Sequence, residues 1–486
     1  MKEWIEQEFA SVELGDKRLP ERMKLILERL IQSPSSSLKS SFKGWREVNA
    51  AYRFFNNQRV TVEAILKPHR ASTLDRVKSH PQVLVIQDTT ELDYTAQKSI
   101  QGVGPLSCLE RKGVFAHNHL VVTPERLPLG VWNTDIYARK EEEHGKGLNR
   151  KQKPIEEKES FRWLVGYRDA CVLAELAPGV QVISCADREA DIYEMFEEWH
   201  LRGEQGKIRA EWIIRSDDNR RLTPPEDRSE QADVCLPAKI REAVAVTPVL
   251  GSITFSVKRK VQQKKVKGGS RHKTVRSARV VTQEIRATTL TLAPPYRQDR
   301  KMPPVTFQVV MARELNPPAG EDPIDWVLLT SMPVVDFDAA GRVVDFYLCR
   351  WEIEVFHRVL KTGCRVEKLQ LKTADRISVA VALYMVVAWR VLYVMTMGRE
   401  CPDLPCDAIF EDDEWQSLWV IAYNRKALEQ KPSLGEFVKK VAQFGGFLGR
   451  NCDGNPGPQS IWVGLSRLRD FTLAWQLFGM TVRSSP

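Results

Sequence analysis

At 486 residues the chain is too long for one ordinary core, and its length suggests about three domains. A hydrophobic fraction of 43% with 28% charged residues is that of a soluble globular protein, and nine scattered cysteines without a CxxC pair exclude an evident zinc site. Against 63 Asp+Glu stand 72 Lys+Arg, a net charge of +9 that favours polyanionic partners without proving them. The excess is concentrated: from Lys258 to Arg279 there are ten Lys/Arg and no acid, so the remainder is nearly neutral. A solvated, mobile hairpin tip and a DNA phosphate contact explain that tract equally well.

The N-terminus (MKEWIEQEFASVELGDKR) lacks the apolar core of a signal peptide, so a cytoplasmic protein with reduced cysteines is expected. Residues up to about 65 read as helices: Met23, Leu27 and Leu30 have helical spacing after Asp16, and WREVNAAYRFFNN follows a Ser-rich turn. Lys17, Arg18, Arg22, Arg46 and Arg53 give this small unit a basic character.

The pattern then turns to strands. Gln82 to Gln87 (QVLVIQ) is β-rich and ends at Asp88, and strand-like runs recur at His119–Thr123 and Pro128–Thr134. Residues 138 to 159 read as a charged, flexible loop. Glu159 to Leu176 is helical, Gly179 to Cys185 is a strand that ends at Asp187, and a helix from about Glu189 to His200 precedes a strand at Trp212–Arg215. A mixed sheet with packed helices is implied. Beyond Arg215 the helical signal lapses for over a hundred residues of strand-like runs, a β-rich insertion at about 217–345. Helix returns near Tyr347. The long apolar segment Ile377–Met397 is interrupted by Arg390 and is expected to be a buried helix rather than a membrane span.

Asp88 and Asp187 each follow a buried strand, where an α/β sheet presents catalytic groups. Hard divalent cations take oxygen ligands, and two Asp with a third carboxylate form a minimal cage for two ions about 4 Å apart. The third carboxylate is found in YLCRWEIEVFHRVLK. At about 100° per residue, Tyr347, Arg350, Glu354 and Lys361 fall within roughly a 60° wedge of one helix, opposite Phe346, Ile353, Phe356 and Leu360. Arg350 and Lys361 there would hold phosphates beside the metals. Taken singly, Asp88 is more often a turn residue, Asp187 a helix cap, and Arg350–Glu354 a surface ion pair; it is their joint arrangement that points to a metal site.

Together these blocks resemble the bacterial DDE insertion-sequence transposases of the IS-four family, in the group containing the Tn-five transposase. IQDTTELDY around Asp88, the DREAD block holding Asp187 and the Tyr347, Arg350, Glu354, Lys361 signature carry the resemblance, with LGDKR and AYRFFNN near the N-terminus. It implies an RNase H-like catalytic core with a β-rich insertion over 66–372. A helical end-recognition domain at 1–65 and a helical dimerisation domain at 373–486 flank it. It also implies cut-and-paste transposition with Mg²⁺, for which Mn²⁺ substitutes, held as two ions by Asp88, Asp187 and Glu354. The steps are nicking at the transposon end, a hairpin intermediate and its resolution, and strand transfer into target DNA.

By resemblance, Trp326 stacks on a flipped base, Trp351 helps part the strands and Arg215 contacts DNA. Arg18, Arg22 and Arg53, with Lys17 more weakly, grip the terminal inverted repeat, and the protein acts as a homodimer on DNA in the bacterial nucleoid, with no membrane partner. An RNase H-like nuclease that cuts without joining, and a non-catalytic DNA-binding repressor, are the competing readings. His117 and His119 are read as core or surface residues before metal or DNA contacts. No nucleotide cofactor is expected.

Overall fold

Met23, Ile26, Leu27 and Leu30 are fully buried, and their i, i+3, i+4, i+7 spacing makes the second helix of the chain amphipathic. In this computed structural model the described residues are 2–32, 38–42, 44–141, 153–223, 238–257, 260–266, 269–297, 300–423, 430–450 and 452–483. The chain divides into two compact units, one formed by 1–152 with 351–486 and the other by 153–350.

The first unit opens with α1 (Lys2–Glu8), α2 (Arg18–Gln32), α3 (Leu38–Ser41), α4 (Trp45–Phe55) and α5 (Val62–Lys78). Thr61 caps α5 by accepting from the Ala64 N–H at 3.1 Å. Four strands follow: β1 (Gln82–Asp93), β2 (Gly104–Pro105), β3 (Lys112–Val122) and β4 (Pro128–Tyr137). β3 is the hub, pairing antiparallel with β1, β2 and β4. β1 and β3 run well past the apolar segments that announce them. The hydrophobic run of β1 stops at Gln87, but the ladder continues from Asp88↔Asn118 to Asp93↔Gly113. Thus the sequence marks where burial ends, not where the strand ends.

The second unit contains α6 (Phe161–Leu176), β5 (Gln181–Ala186), α7 (Tyr193–Glu204), β6 (Glu211–Arg215), α8 (Ile240–Ala245), β7 (Gly251–Val257), β8 (Lys260–Val266), β9 (Gly269–Arg276), β10 (Arg279–Leu292), β11 (Val305–Glu314), β12 (Asp325–Thr330) and α9 (Phe337–Cys349). Its sheet runs β5-β6-β12-β11-β10-β7. β5 and β6 are parallel, as a connection through α7 requires, and the other pairings are antiparallel. The architecture is therefore mixed α/β. Phe196 of α7, Trp212 of β6 and Phe307 of β11 pack with ring centroids 5.0–5.3 Å apart and hold α7 on the sheet. β8 and β9 form a separate antiparallel hairpin. The basic tract expected at 258–279 falls largely here, and the side chains of 258–276, like residues 142–152 of the expected charged loop, lie outside the described residues.

Two helical expectations need correction. The stretch after Arg215 is not free of helix, since it contains α8, and α9 begins ten residues before Tyr347. The Asp336 carboxylate caps α9 by accepting from the Ala339 N–H at 2.7 Å, a local signal that overrides the weak propensity of Gly341, Val343 and Val344.

The chain returns to the first unit with α10 (Trp351–Arg358), a π-helical turn (Val359–Gly363), α11 (Ala374–Glu400), α12 (Asp412–Tyr423), α13 (Leu434–Phe444) and α14 (Pro458–Arg483). By length and composition α11 is apolar enough to cross a membrane, yet most of it is buried. It packs on α5, β4 and α13 as a core helix. Around it lies a buried polar cluster: Arg76 donates to both Glu8 carboxylate oxygens at 2.8 and 2.9 Å and to the Leu129 carbonyl at 2.6 Å. His69 bonds Glu8 through Nδ1, and its Nε2 accepts from the Val131 N–H at 2.9 Å. Burial opposes ionisation of Glu8, but His69 and Arg76 outweigh it and its pKa lies at about 2. Burial lowers the pKa of His69. β4 approaches α5 so closely that a Cβ on Gly130 would lie 1.9 Å from the Thr73 hydroxyl.

Candidate active site and nucleic-acid interface

In the first unit Asp88 is part-exposed where the buried run of β1 stops, and its carboxylate accepts from the Thr89 N–H at 2.8 Å. Residues alternate faces along a strand, so Asp88 shares a face with its register partner Asn118, and His117 and His119 lie on the other. There His117 reaches the Thr89 hydroxyl at 2.8 Å and Gln87 at 3.4 Å, and both histidines are buried. They belong to the core behind Asp88.

Glu354 is on α10, which packs on β1, and is also part-exposed. On the same helix His357 meets Asn118, the residue opposite Asp88, at 2.9 Å. Lys361 follows on the π turn. Its ammonium donates to the Glu91 carbonyl of β1 at 2.8 Å and lies 3.6 Å from Glu367. Glu367 in turn accepts from the Asp93 N–H at 3.0 Å. The first unit thus gathers Asp88, Glu354 and Lys361 around β1. Trp351 at the start of α10 is 48% exposed.

The second unit positions the rest. Asp187 follows β5, part-exposed, and caps a short 3₁₀ turn by accepting from the Glu189 N–H at 2.8 Å. A carboxylate can accept about four bonds, so the cap does not exhaust it. Arg215 ends β6 and Tyr347 lies on α9. Burial raises the pKa of the Tyr347 phenol, while Arg350 and Arg215 lower it and Asp187 raises it further. Those four side chains therefore share one electrostatic neighbourhood. Trp326 of β12 stacks on Phe255 at 6.4 Å and meets the edge of Tyr347 at 6.2 Å.

The single helix inferred for Tyr347–Lys361 is corrected. α9 ends at Cys349, α10 starts at Trp351, and Arg350 between them keeps helical angles (φ −54°, ψ −28°). The π turn at Val359–Gly363 then shifts Lys361 from the angle that about 100° per residue gives. Nor is the face open. Tyr347 and Arg350 are 3% and 8% exposed, with the Arg350 guanidinium 6.0 Å from the Tyr347 ring. Among the described residues, no three His, Cys, Asp or Glu side chains stand close enough to hold a metal ion as placed.

Three residues escaped sequence reasoning. Asp191, four after Asp187, is buried and accepts from Arg220 Nε at 2.8 Å and from the N–H groups of Asp217 and Asp218 at 2.8 and 3.1 Å. Its burial pushes the carboxyl pKa up, with Arg220 opposing. Spacing within the DREAD block was available as a signal for Asp191. For His357, three residues after Glu354, helical spacing was available too, but Asn118 emerges only from strand register.

Near the N-terminus Arg18 starts α2 with its side chain 90% exposed and paired to Asp16 at 3.0 Å. That pairing lowers the Asp16 carboxyl to about 2. Arg53 on α4 is exposed and Arg22 on α2 half-buried, so these helices present basic groups to solvent. Two family models match the chain. Residues 1–60 match the one described as transposase DNA-binding, and residues 386–476 match the transposase Tn5 dimerisation domain. The first match covers the helices bearing Arg18, Arg22 and Arg53, and the second runs from within α11 into α14. Matched at one end as a DNA-binding segment and at the other as a Tn5 dimerisation segment, the chain is similar at both ends to Tn5-like transposases, which supports a transposase that binds DNA and dimerises.

Proposed function

We propose that the protein carries out cut-and-paste DNA transposition on an RNase H-like core, with Asp88, Asp187 and Glu354 as its catalytic acids. The supporting observation is that all three are part-exposed, Asp88 and Asp187 where buried strand runs end and Glu354 on the helix packed on β1, with Arg215, Tyr347 and Arg350 around Asp187. An all-oxygen donor set suits Mg²⁺, or Mn²⁺ in its place. These three carboxylates would hold it. When bound, such ions activate a water or 3′-hydroxyl and stabilise the leaving oxygen.

The remaining residues bind and orient DNA. Arg215 offers a forked donor to phosphate oxygens, and Arg350 and the Tyr347 phenol, buried in the free protein, would join it when DNA binding opens that face. Lys361, anchored on the Glu91 carbonyl, adds a point charge. Trp326 stacks on a flipped base during hairpin formation, and Trp351 parts the strands. Arg18, Arg22 and Arg53 grip the terminal inverted repeats, and a homodimer pairs two ends before strand transfer into target DNA. Such a protein works in the cytoplasm on the nucleoid.

Incubation with end DNA, a target plasmid and Mg²⁺ tests this reading. Nicked ends followed by joined product are expected, and Asp88→Ala and Glu354→Ala should bind ends but not nick them. Nicking by Asp88→Ala at the wild-type rate overturns the assignment of the acids. Cleavage without joining favours a nuclease, and binding with neither favours a repressor.

A further inference from the structure

Apolar packing holds α10 against its neighbours through Ile353 and Phe356, but such contacts are non-directional and leave rotation about the helix axis loosely defined. A buried polar chain supplies the missing direction. The Asn118 amide nitrogen donates to His357 Nε2 at 2.9 Å and to the Ala116 carbonyl at 3.3 Å, and its oxygen accepts from the Thr134 hydroxyl at 2.8 Å. A carbonyl only accepts, so Ala116 identifies the nitrogen end of the amide, and His357 must accept at Nε2 as a neutral ring protonated at Nδ1. Asn118 is fully buried and His357 is 7% exposed. The chain runs from β4 through β3 into α10. It leaves β3 at the register partner of Asp88 and enters α10 one turn beyond Glu354.

We propose that Asn118 and His357 are positioning residues that fix Glu354 relative to Asp88, an inference that rests on reading those two acids as catalytic. Neither residue touches DNA in this role. Their contribution is rotational: an error of about 1 Å in a catalytic group costs on the order of 10²-fold in rate. Loss of the amide–imidazole bond therefore slows cleavage and leaves end recognition intact, because the end-binding arginines are on α2 and α4.

The test uses the full-length chain, a labelled end duplex, single-turnover cleavage across a Mg²⁺ series and gel-shift affinity for the same duplex. His357→Ala and Asn118→Leu should each cleave about 10- to 100-fold more slowly, need more Mg²⁺ for half-maximal rate, and bind the end as wild type does. His357→Gln, whose amide reaches the place of Nε2, should recover most of the rate, and His357→Asn, one methylene shorter, should not. The double variant Asn118→Leu/His357→Ala should be no slower than either single variant. Equal rates for His357→Gln and His357→Asn overturn the proposal even if His357→Ala fails to fold, as do losses that multiply in the double variant. Asp88→Ala in the same assay separates the two readings. If it cleaves normally, the acid assignment and this inference fall together; if it is inactive while His357→Asn cleaves as wild type, only the positioning role falls.

Discussion

Two aspartates four residues apart in the DREAD block have opposite assignments. Asp187 is part-exposed beyond β5 and its local duty is one cap bond, whereas Asp191 is buried and satisfies Arg220 and two backbone N–H groups. Asp187→Asn should therefore leave the melting temperature within a few degrees of wild type and abolish nicking. Asp191→Asn strands the Arg220 guanidinium and should cost about 3–5 kcal/mol, the penalty for breaking a buried pair, visible as a lowered urea midpoint. Equal stability of the two variants would contradict the division. The sequence alone marked Asp187, because an apolar run leads into it. Nothing local distinguished Asp191 as a tether, since its partners arrive from residues 217–220. Asn118 was invisible for the same reason: strand register is set by long-range pairing.

Elements were legible where hydrophobic period and capping agreed. α6, β5, β6 and α11 match their sequence signals to within a few residues. Misreadings arose where a polar segment continues an ordered element, as in β1 beyond Gln87, or where a cap starts a helix of low propensity, as Asp336 does for α9. The contact of β4 with α5 belongs to this scale. Gly130→Ala would place a methyl 1.9 Å from the Thr73 hydroxyl and 2.7 Å from its methyl, and strand and helix have to part to admit it. A loss of about 1–3 kcal/mol is expected. Combining it with Thr73→Ala removes both closest atoms but leaves a Cβ at 2.8 Å, so part of that loss should be recovered. Strict additivity in urea titrations of the single and double variants would show that the two elements do not meet there.

At the scale of the molecule, the first unit joins both ends of the chain, and no linear reading of motifs announces that. Trp4 lies 6.2 Å from Trp389, Arg390 stands 4.8 Å from the Trp4 ring, and the Glu3 N–H donates to Glu411 at 3.0 Å. The segment matched as DNA-binding is thereby built onto the segment matched as a dimerisation domain. Glu8 is the electrostatic centre of that junction. Its folded pKa of about 2 lies below the unfolded value of about 4.3. A carboxyl depressed in this way stabilises the fold fully above the unfolded value, and the contribution disappears as pH falls through the folded one. The shift corresponds to on the order of 3 kcal/mol at neutral pH. Glu8→Gln cannot ionise, leaves Arg76 facing an amide and removes the carboxylate that offsets the lowering of the His69 pKa by burial. Its deficit relative to wild type should therefore be present at pH 7 and widen as pH falls below the unfolded histidine value of about 6.5. Below about pH 4.3 the deficit should shrink steadily, because wild type loses what the variant never had. Urea unfolding of both proteins from pH 7 down to pH 3 measures the difference, and a deficit independent of pH would assign the loss to packing rather than to the ionised carboxylate.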